Sequence, residues 1–228
     1  ATAAFPTFAA LEATGRLREF RDVLNRALRA ILFVTLPAAA GLLVWRVPLI
    51  RLLLERGEFT AESTALTASA LAFYSLGLVG HSVVEILARA YYALHDTRTP
   101  VLISVASMVL NALLSLLLRE SMAHSGLALA NTIATTLEMV LLLWLLTRRL
   151  GGVAWSQLGS TSLRAGLAAL VMAFVLHSAT AVWPDAPALL AAPAGMVSGA
   201  AIFLFAAYVL RMPELQVVRQ LLGRRLHR

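Results

Sequence analysis

Apolar residues in this chain run in long blocks, not in the one-face or alternating patterns of a soluble core. A membrane-crossing helix needs roughly 20 apolar residues to cover about 30 Å of hydrocarbon. Six blocks meet that length: residues 27–45, 64–94, 100–118, 126–147, 163–183 and 187–210. The first contains Pro37 and continues into a short amphipathic piece from Pro48 to Arg56, and the second is longer and more polar than a simple anchor. Residues 1–26 read as the end of an earlier span followed by an arginine-rich surface helix, and residues 211–228 as a basic amphipathic tail. Pro100, Pro184, Pro187 and Pro213 fall at block ends, where helices start or stop. The blocks are about twice the 9–11 residues of a membrane β-strand and do not alternate. In hydrocarbon each segment must satisfy its own backbone amides, which leaves helices. The expected fold is therefore all-α, a polytopic bundle of six transmembrane helices (27–210) with an N-terminal stub, forming one membrane domain over 1–228.

Composition agrees. Hydrophobic residues make up 60% and charged residues 14% of the chain, against about half and a quarter in a soluble domain. All nineteen basic residues are Arg, and they alternate in side along the blocks. The N-terminal segment through Arg29, the 95–100 turn with Arg89 just ahead of it, the 148–164 loop and the tail hold fifteen of them; Arg46, Arg51, Arg56 and Arg119 are the four on the other side. Arginine excess marks cytoplasmic loops, so both ends of the chain are expected in the cytoplasm. The formal charge of +7 thus tracks membrane loops, and no nucleic-acid partner is expected. With no cysteine there is neither a disulfide framework nor a thiolate site. The chain opens at Ala1 without Met and reads as a fragment.

Three polar features interrupt the apolar blocks. His81, Glu85 and Arg89 are spaced i, i+4, i+8 and share a face of the second span, with Ser82 beside them. A charge at mid-bilayer costs roughly 2.5–3.5 kcal/mol, so such a stripe points inward. Either Glu85 and Arg89 neutralise each other while His81 packs, or the three line a cavity that binds an anionic head group or relays a proton. Ser104, Ser107, Asn111 and Ser115 form one polar face on the third span, and Asn131, Thr135 and Glu138 another on the fourth. Such faces serve as interhelical glue at about 0.6 kcal/mol per contact. Alternatively they meet and supply oxygen ligands to a small hard cation, with Asn111, Ser115, Asn131 and Glu138 as candidates. Gly195 and Gly199, with Ala191 a turn earlier, form a small-xxx-small packing face. There is no Walker loop, HExxH, Cys/His cluster or GxSxG elbow, so no enzyme chemistry, no firm metal site and no cofactor is expected.

Three segments carry a resemblance. Leu52-Leu53-Leu54-Glu55-Arg56-Gly57-Glu58-Phe59-Thr60 resembles the LLFERGxFT segment of the MurJ/MviN lipid II flippases, Arg89 to Pro100 (RAYYALHDTRTP) resembles their RAFYALxDTRTP turn, and His124-Ser125-Gly126-Leu127-Ala128-Leu129-Ala130 resembles their GHxGLALA helix start. Order and spacing agree along essentially the whole chain. The resemblance implies the C-terminal lobe of a fourteen-helix, two-lobed transporter of the multidrug/oligosaccharidyl-lipid/polysaccharide exporter superfamily. It implies a bacterial inner-membrane protein that moves lipid II, the undecaprenyl-linked peptidoglycan precursor, between leaflets for cell-wall synthesis. The cationic pyrophosphate-binding cavity would belong largely to an N-terminal half absent from this chain, and the last two spans would border a groove for the lipid tail. Sodium-binding relatives pair an Asn with an acid one turn later; here Asn111 is followed by Ser115, and Asn131 stands where a hydroxyl residue is expected, which leaves monovalent-cation coupling open. Rival readings are a flippase for another polyprenyl-linked glycan or a drug exporter, a non-transporting scaffold for cell-wall enzymes, and a glycan-lipid transferase.

Overall fold

The computed structural model describes residues 5–182 and 188–215. Its helices are α1 (Phe5–Ala13), α2 (Leu17–Leu54), α3 (Ala61–Ala93), α4 (Arg98–Leu150), α5 (Trp155–Val182) and α6 (Ala188–Val209). No strand occurs among the described residues, and six helical segments are long and apolar enough to cross a membrane. The all-α polytopic fold read from the hydropathy blocks is the observed one. The expected basic tail lies outside the described residues from residue 216 onward, as do Pro184 and Pro187.

Helix boundaries differ from the sequence reading in three places. The surface helix, the first span and the amphipathic piece are one unbroken helix: α2 has 38 residues and contains both Pro37 and Pro48. At 1.5 Å per residue it is about 57 Å long, well beyond the hydrocarbon thickness. Each proline frees only the carbonyl four residues earlier, a loss a membrane helix absorbs. The stub becomes the separate helix α1, turned back at Gly15 (φ +66°), with the Phe8 and Phe20 rings 4.9 Å apart. Helix α5 starts eight residues ahead of its apolar block, at Trp155, where the Asn25 side chain accepts the Ala154 N–H at 3.3 Å.

Helix α4 holds two spans in one helical run. Straight, its 53 residues would reach about 80 Å. Yet Ser104 hydrogen-bonds Glu138 at 2.5 Å, and a Cβ on Gly126 would stand 2.6 Å from the Leu118 carbonyl oxygen. The run is therefore a hairpin whose limbs, Arg98–Glu120 and His124–Leu150, lie antiparallel, and Gly126 is where the backbones touch.

Helix α2 is the spine of two apolar clusters. Its first turns bury Phe20, Leu24 and Leu28 with α1, α3 and the second limb of α4 (Leu87, Tyr91, Leu142, Leu146). Its middle buries Phe33 and Trp45 with Met172 and Leu176 of α5 and Phe203 of α6. The first limb of α4 has no buried residue in its apolar window and exposes Leu102, Met108 and Leu117, an apolar face that no other described residue of this chain covers.

Candidate functional site

The polar stripe of α3 and that of the second α4 limb come together. His81 Nε2 lies 2.9 Å from Asn131 Oδ1 and 3.4 Å from Thr135 Oγ1. Two residues assigned to separate sites by sequence, one to a cavity and one to an ion, thus share a contact. What allows it is close helix approach: a Cβ on Gly77 would sit 2.8 Å from Thr132 Oγ1, and one on Gly80 would sit 3.4 Å from Thr135 Cγ2. Sequence reasoning passed over these glycines, which stand about one helical turn apart on the face that meets the second α4 limb. One turn on, Glu85 pairs with Arg89, whose Nε donates to Glu85 Oε1 at 3.1 Å. Glu85 keeps 57% of its side chain exposed and Arg89 21%. The stripe therefore has one exposed member tied across to the second α4 limb and an ion pair on an open face.

The ion-site candidates divide among several contacts. Glu138 accepts from Ser104 across the hairpin at 2.5 Å. Seven residues inward from that contact on each limb, or two helical turns, stand Asn111 and Asn131 at a common level. Their oxygens are engaged separately: Asn111 Oδ1 accepts from Ser115 at 3.4 Å on its own limb, while Asn131 faces His81. Among the described residues no group of three or more His, Cys, Asp or Glu could hold a metal ion.

At the arginine-rich end, the turn after α3 is tightly held. Asp96 accepts the Thr99 N–H at 3.0 Å and the Thr99 hydroxyl at 2.8 Å, and Arg149 pairs with it at 2.7 Å. The Thr99 N–H first, then its hydroxyl and Arg149, outweigh burial and hold the Asp96 carboxyl below its ordinary value. Arg149 also donates to the Leu94 carbonyl at 3.3 Å, fastening the end of the second limb to the end of α3.

A second cluster at that end was not foreseen. Glu214, just past α6 and 5% exposed, pairs with Arg29 of α2 at 2.6 Å and accepts the Thr161 hydroxyl of α5 at 2.8 Å. Arg29 also donates to Gln157 at 3.2 Å. Burial pushes the Glu214 carboxyl up, but Arg29, Glu214's own backbone N–H and Thr161 together hold it below its ordinary value. The partners are 185 residues apart, and no local spacing reveals such a pair.

Between α2, α5 and α6 lies an apolar cavity of about 490 Å³, lined by residues including Phe33, Pro37, Trp45, Met172, Gly199 and Phe203. Gly195 is the socket for the Trp45 ring, since a Cβ there would run into the indole. Gly199 faces Leu176 of α5, where a Cβ would stand 3.1 Å away. The small-residue face thus seats two side chains and not a neighbouring backbone.

Comparison with known proteins fits this architecture. A probable lipid II flippase MurJ of Rhizobium meliloti is 40% identical over 142 residues, which is 62% of this chain and 26% of that protein. The lipid II flippase MurJ of Thermosipho africanus is 32% identical over 127 residues, 56% of this chain and 27% of that protein. A solved structure of lipid II flippase MurJ in an inward closed conformation superposes with a TM-score of 0.75 at 24% identity, covering 91% of this chain and 42% of that one, a likeness of fold. The matched stretch is thus about a quarter of the length of these curated relatives. Residues 1–192 match the profile of the lipid II flippase MurJ family, and the chain, a bacterial-type membrane protein of six spans, belongs to that family.

Proposed function

We propose that this chain is the C-terminal lobe of a flippase that carries lipid II, or a closely similar polyprenyl-pyrophosphate lipid, across the bacterial inner membrane by alternating access. The match of residues 1–192 to the family profile carries the proposal. Two features support it physically. The cavity between α2, α5 and α6 is wide and apolar enough for a segment of isoprenoid chain. The Glu85–Arg89 pair and His81 supply a polar face for the head group, although a lone guanidinium does not desolvate a pyrophosphate, which needs several fixed donors. Those donors belong to an N-terminal lobe, against which this lobe rocks. The protein acts without covalent chemistry. The coupling ion, in this reading, is a monovalent cation taken at the common level of Asn111 and Asn131, with Ser115 a turn away and Glu138, two turns away, too distant to share it, and exchanging sodium for choline should slow transport. Rates equal in the two salts would remove the ion.

The proposal is tested by lipid II leaflet accessibility in cells depleted of their own flippase. Co-expression of residues 1–228 with an N-terminal half should restore translocation; rescue by residues 1–228 alone would mean the substrate site is misplaced. The orientation follows from arginine asymmetry, with the Asp96–Pro100 turn and both ends cytoplasmic. Single cysteines at Thr97 and Ala61 in this Cys-free chain check it: an impermeant maleimide should label Ala61→Cys in intact cells and spare Thr97→Cys. The reverse pattern inverts the topology.

A further inference from the structure

The lobe holds two arginine–glutamate pairs of opposite character. Arg29 uses all three guanidinium nitrogens: Nε on Glu214 Oε1 at 2.8 Å and on Thr161 at 3.1 Å, one terminal nitrogen on Glu214 Oε1 at 2.6 Å, and the other on Gln157 at 3.2 Å. Its carboxylate partner is 5% exposed. Arg89 uses two nitrogens, and both converge on the single oxygen Oε1 of Glu85. Among the described residues, Arg89 Nη1 and Glu85 Oε2 have no partner. The other polar groups of these faces are committed elsewhere: Arg149 to Asp96, Glu138 to Ser104 and His81 to Asn131. In the Arg89 pair the cation is the anchored member, 21% exposed, and the carboxylate the loose one, 57% exposed.

A guanidinium grips hardest an oxyanion that takes two parallel N–H bonds. Glu85, four residues back on the same helix, offers one oxygen. An exposed pair at this spacing is held by a factor of roughly two to five at most. A phosphate arriving on the open face can therefore take Arg89, whereas the Glu214 pair, sealed and cross-braced, offers it no entry. Position adds a direction. Arg89 stands four residues before the end of α3 at Ala93, at the arginine-rich end, with Glu85 about 6 Å and His81 about 12 Å further in.

We propose that Glu85 is a stand-in for substrate phosphate: it holds Arg89 while the face is empty, yields it to the pyrophosphate of the entering lipid, and retakes it as the head group moves on. Glu85 is a positioning residue that acts through Arg89. Without it the guanidinium would keep the pyrophosphate at the mouth, or stand uncompensated when the two lobes close over an empty face. The stand-in deepens the flippase reading and rests on it for the identity of the lipid that carries the pyrophosphate.

Inorganic pyrophosphate is the probe, titrated calorimetrically into residues 1–228 purified in detergent with their N-terminal half. Glu85→Gln should tighten its binding by roughly two- to fivefold, the ratio by which an exposed pair holds. Glu85→Asp, which still reaches a cation four residues on, should bind as the unsubstituted protein does. With Arg89→Gln in place, Glu85→Gln should change nothing. Unchanged or weaker binding in Glu85→Gln overturns the stand-in. So does an equal gain in the Arg89→Gln background, which would make Glu85 act through its field and not through its hold. If Glu85→Gln and Glu85→Ala both fail to fold, the pair is structural and the proposal falls. Lipid II accessibility is a separate measurement. Its failure removes the flippase reading and leaves the pyrophosphate titration standing, while a failed titration with translocation intact removes the stand-in alone.

Discussion

The two faces of this lobe are held by different means. Helix α3 and the second limb of α4 run parallel and are stitched along their length: Ser69 to Ser125 at 2.7 Å, Thr132 to the Phe73 carbonyl at 2.7 Å, His81 to Asn131 at 2.9 Å, Tyr91 to the Leu142 carbonyl at 3.0 Å and Arg149 to Asp96 at 2.7 Å. The α2–α6 seam has a ring in a socket at one end, an ion pair at the other and an apolar hollow between. Many weak polar ties fix a register and resist sliding, because every tie must be remade together. A few strong contacts around a hollow can be lost one at a time. The first face behaves as a rigid plate, the second as a joint.

The comparison predicts few large effects on the joint and many small ones on the plate. Arg29→Leu should be the most damaging, destabilising by about 3 kcal/mol because Glu214 is left buried without its cation. Thermal unfolding in detergent, followed across pH, measures it. In the native protein Glu214 is held below its ordinary value, so its stabilisation is full above the usual carboxylate range and is lost as pH falls through the lowered value. In Arg29→Leu burial is opposed only by the Glu214 backbone N–H and Thr161, so the carboxyl should rise from its lowered value and the acid loss of stability should become shallower. A variant that keeps the native pH profile would mean Arg29 is not what holds the carboxylate.

Gly195→Leu comes next, at about 1–3 kcal/mol for forcing atoms into the Trp45 ring. Combined with Trp45→Ala, the loss should be smaller than the sum of the single changes. Additive losses would show that Gly195 and Trp45 do not share a space. On the plate, Tyr91→Phe should cost about 1 kcal/mol, the value of one hydrogen bond, and leave the joint untouched. Smallest is Asn131→Leu, about 0.6 kcal/mol on typical interhelical bonds in membranes. If Asn131→Leu slows transport far more than so small a loss accounts for, the His81–Asn131 contact belongs to the transport path. If Tyr91→Phe exceeds Arg29→Leu, the division into plate and joint fails.

How much was legible in the sequence follows the range of each force. Hydropathy is local, so span existence and all-α class could be read directly, and both limbs of α4 fall within a few residues of their blocks. Boundaries were less visible where a helix outlasts the hydrocarbon: α2 continues through Pro37 and Pro48, and α5 starts in polar sequence at Trp155. His81, Asn131, Glu85 and Arg89 stood out because polar residues in apolar blocks are conspicuous. Their pairing across helices did not, since periodicity places residues on one face and says nothing of which faces meet. Arg29–Glu214 was hidden by distance, with each partner looking like an ordinary loop charge. Gly195 was seen, but the spacing suggested a neighbouring backbone where the structure puts an indole.

The α4 hairpin also bears on how the protein is made. In the orientation proposed above, its tip is the part that must be carried through the bilayer during synthesis. Ahead of His124 that tip bears one positive and one negative residue, Arg119 and Glu120, and the limbs meet with no loop between them. A near-neutral tip is inexpensive to translocate, and limbs joined this closely cannot enter the membrane one after the other with a long pause between them. They are expected to leave the insertion machinery as a pair, with the Ser104–Glu138 bond already formed, which spares the bilayer an unescorted carboxylate at any stage of assembly.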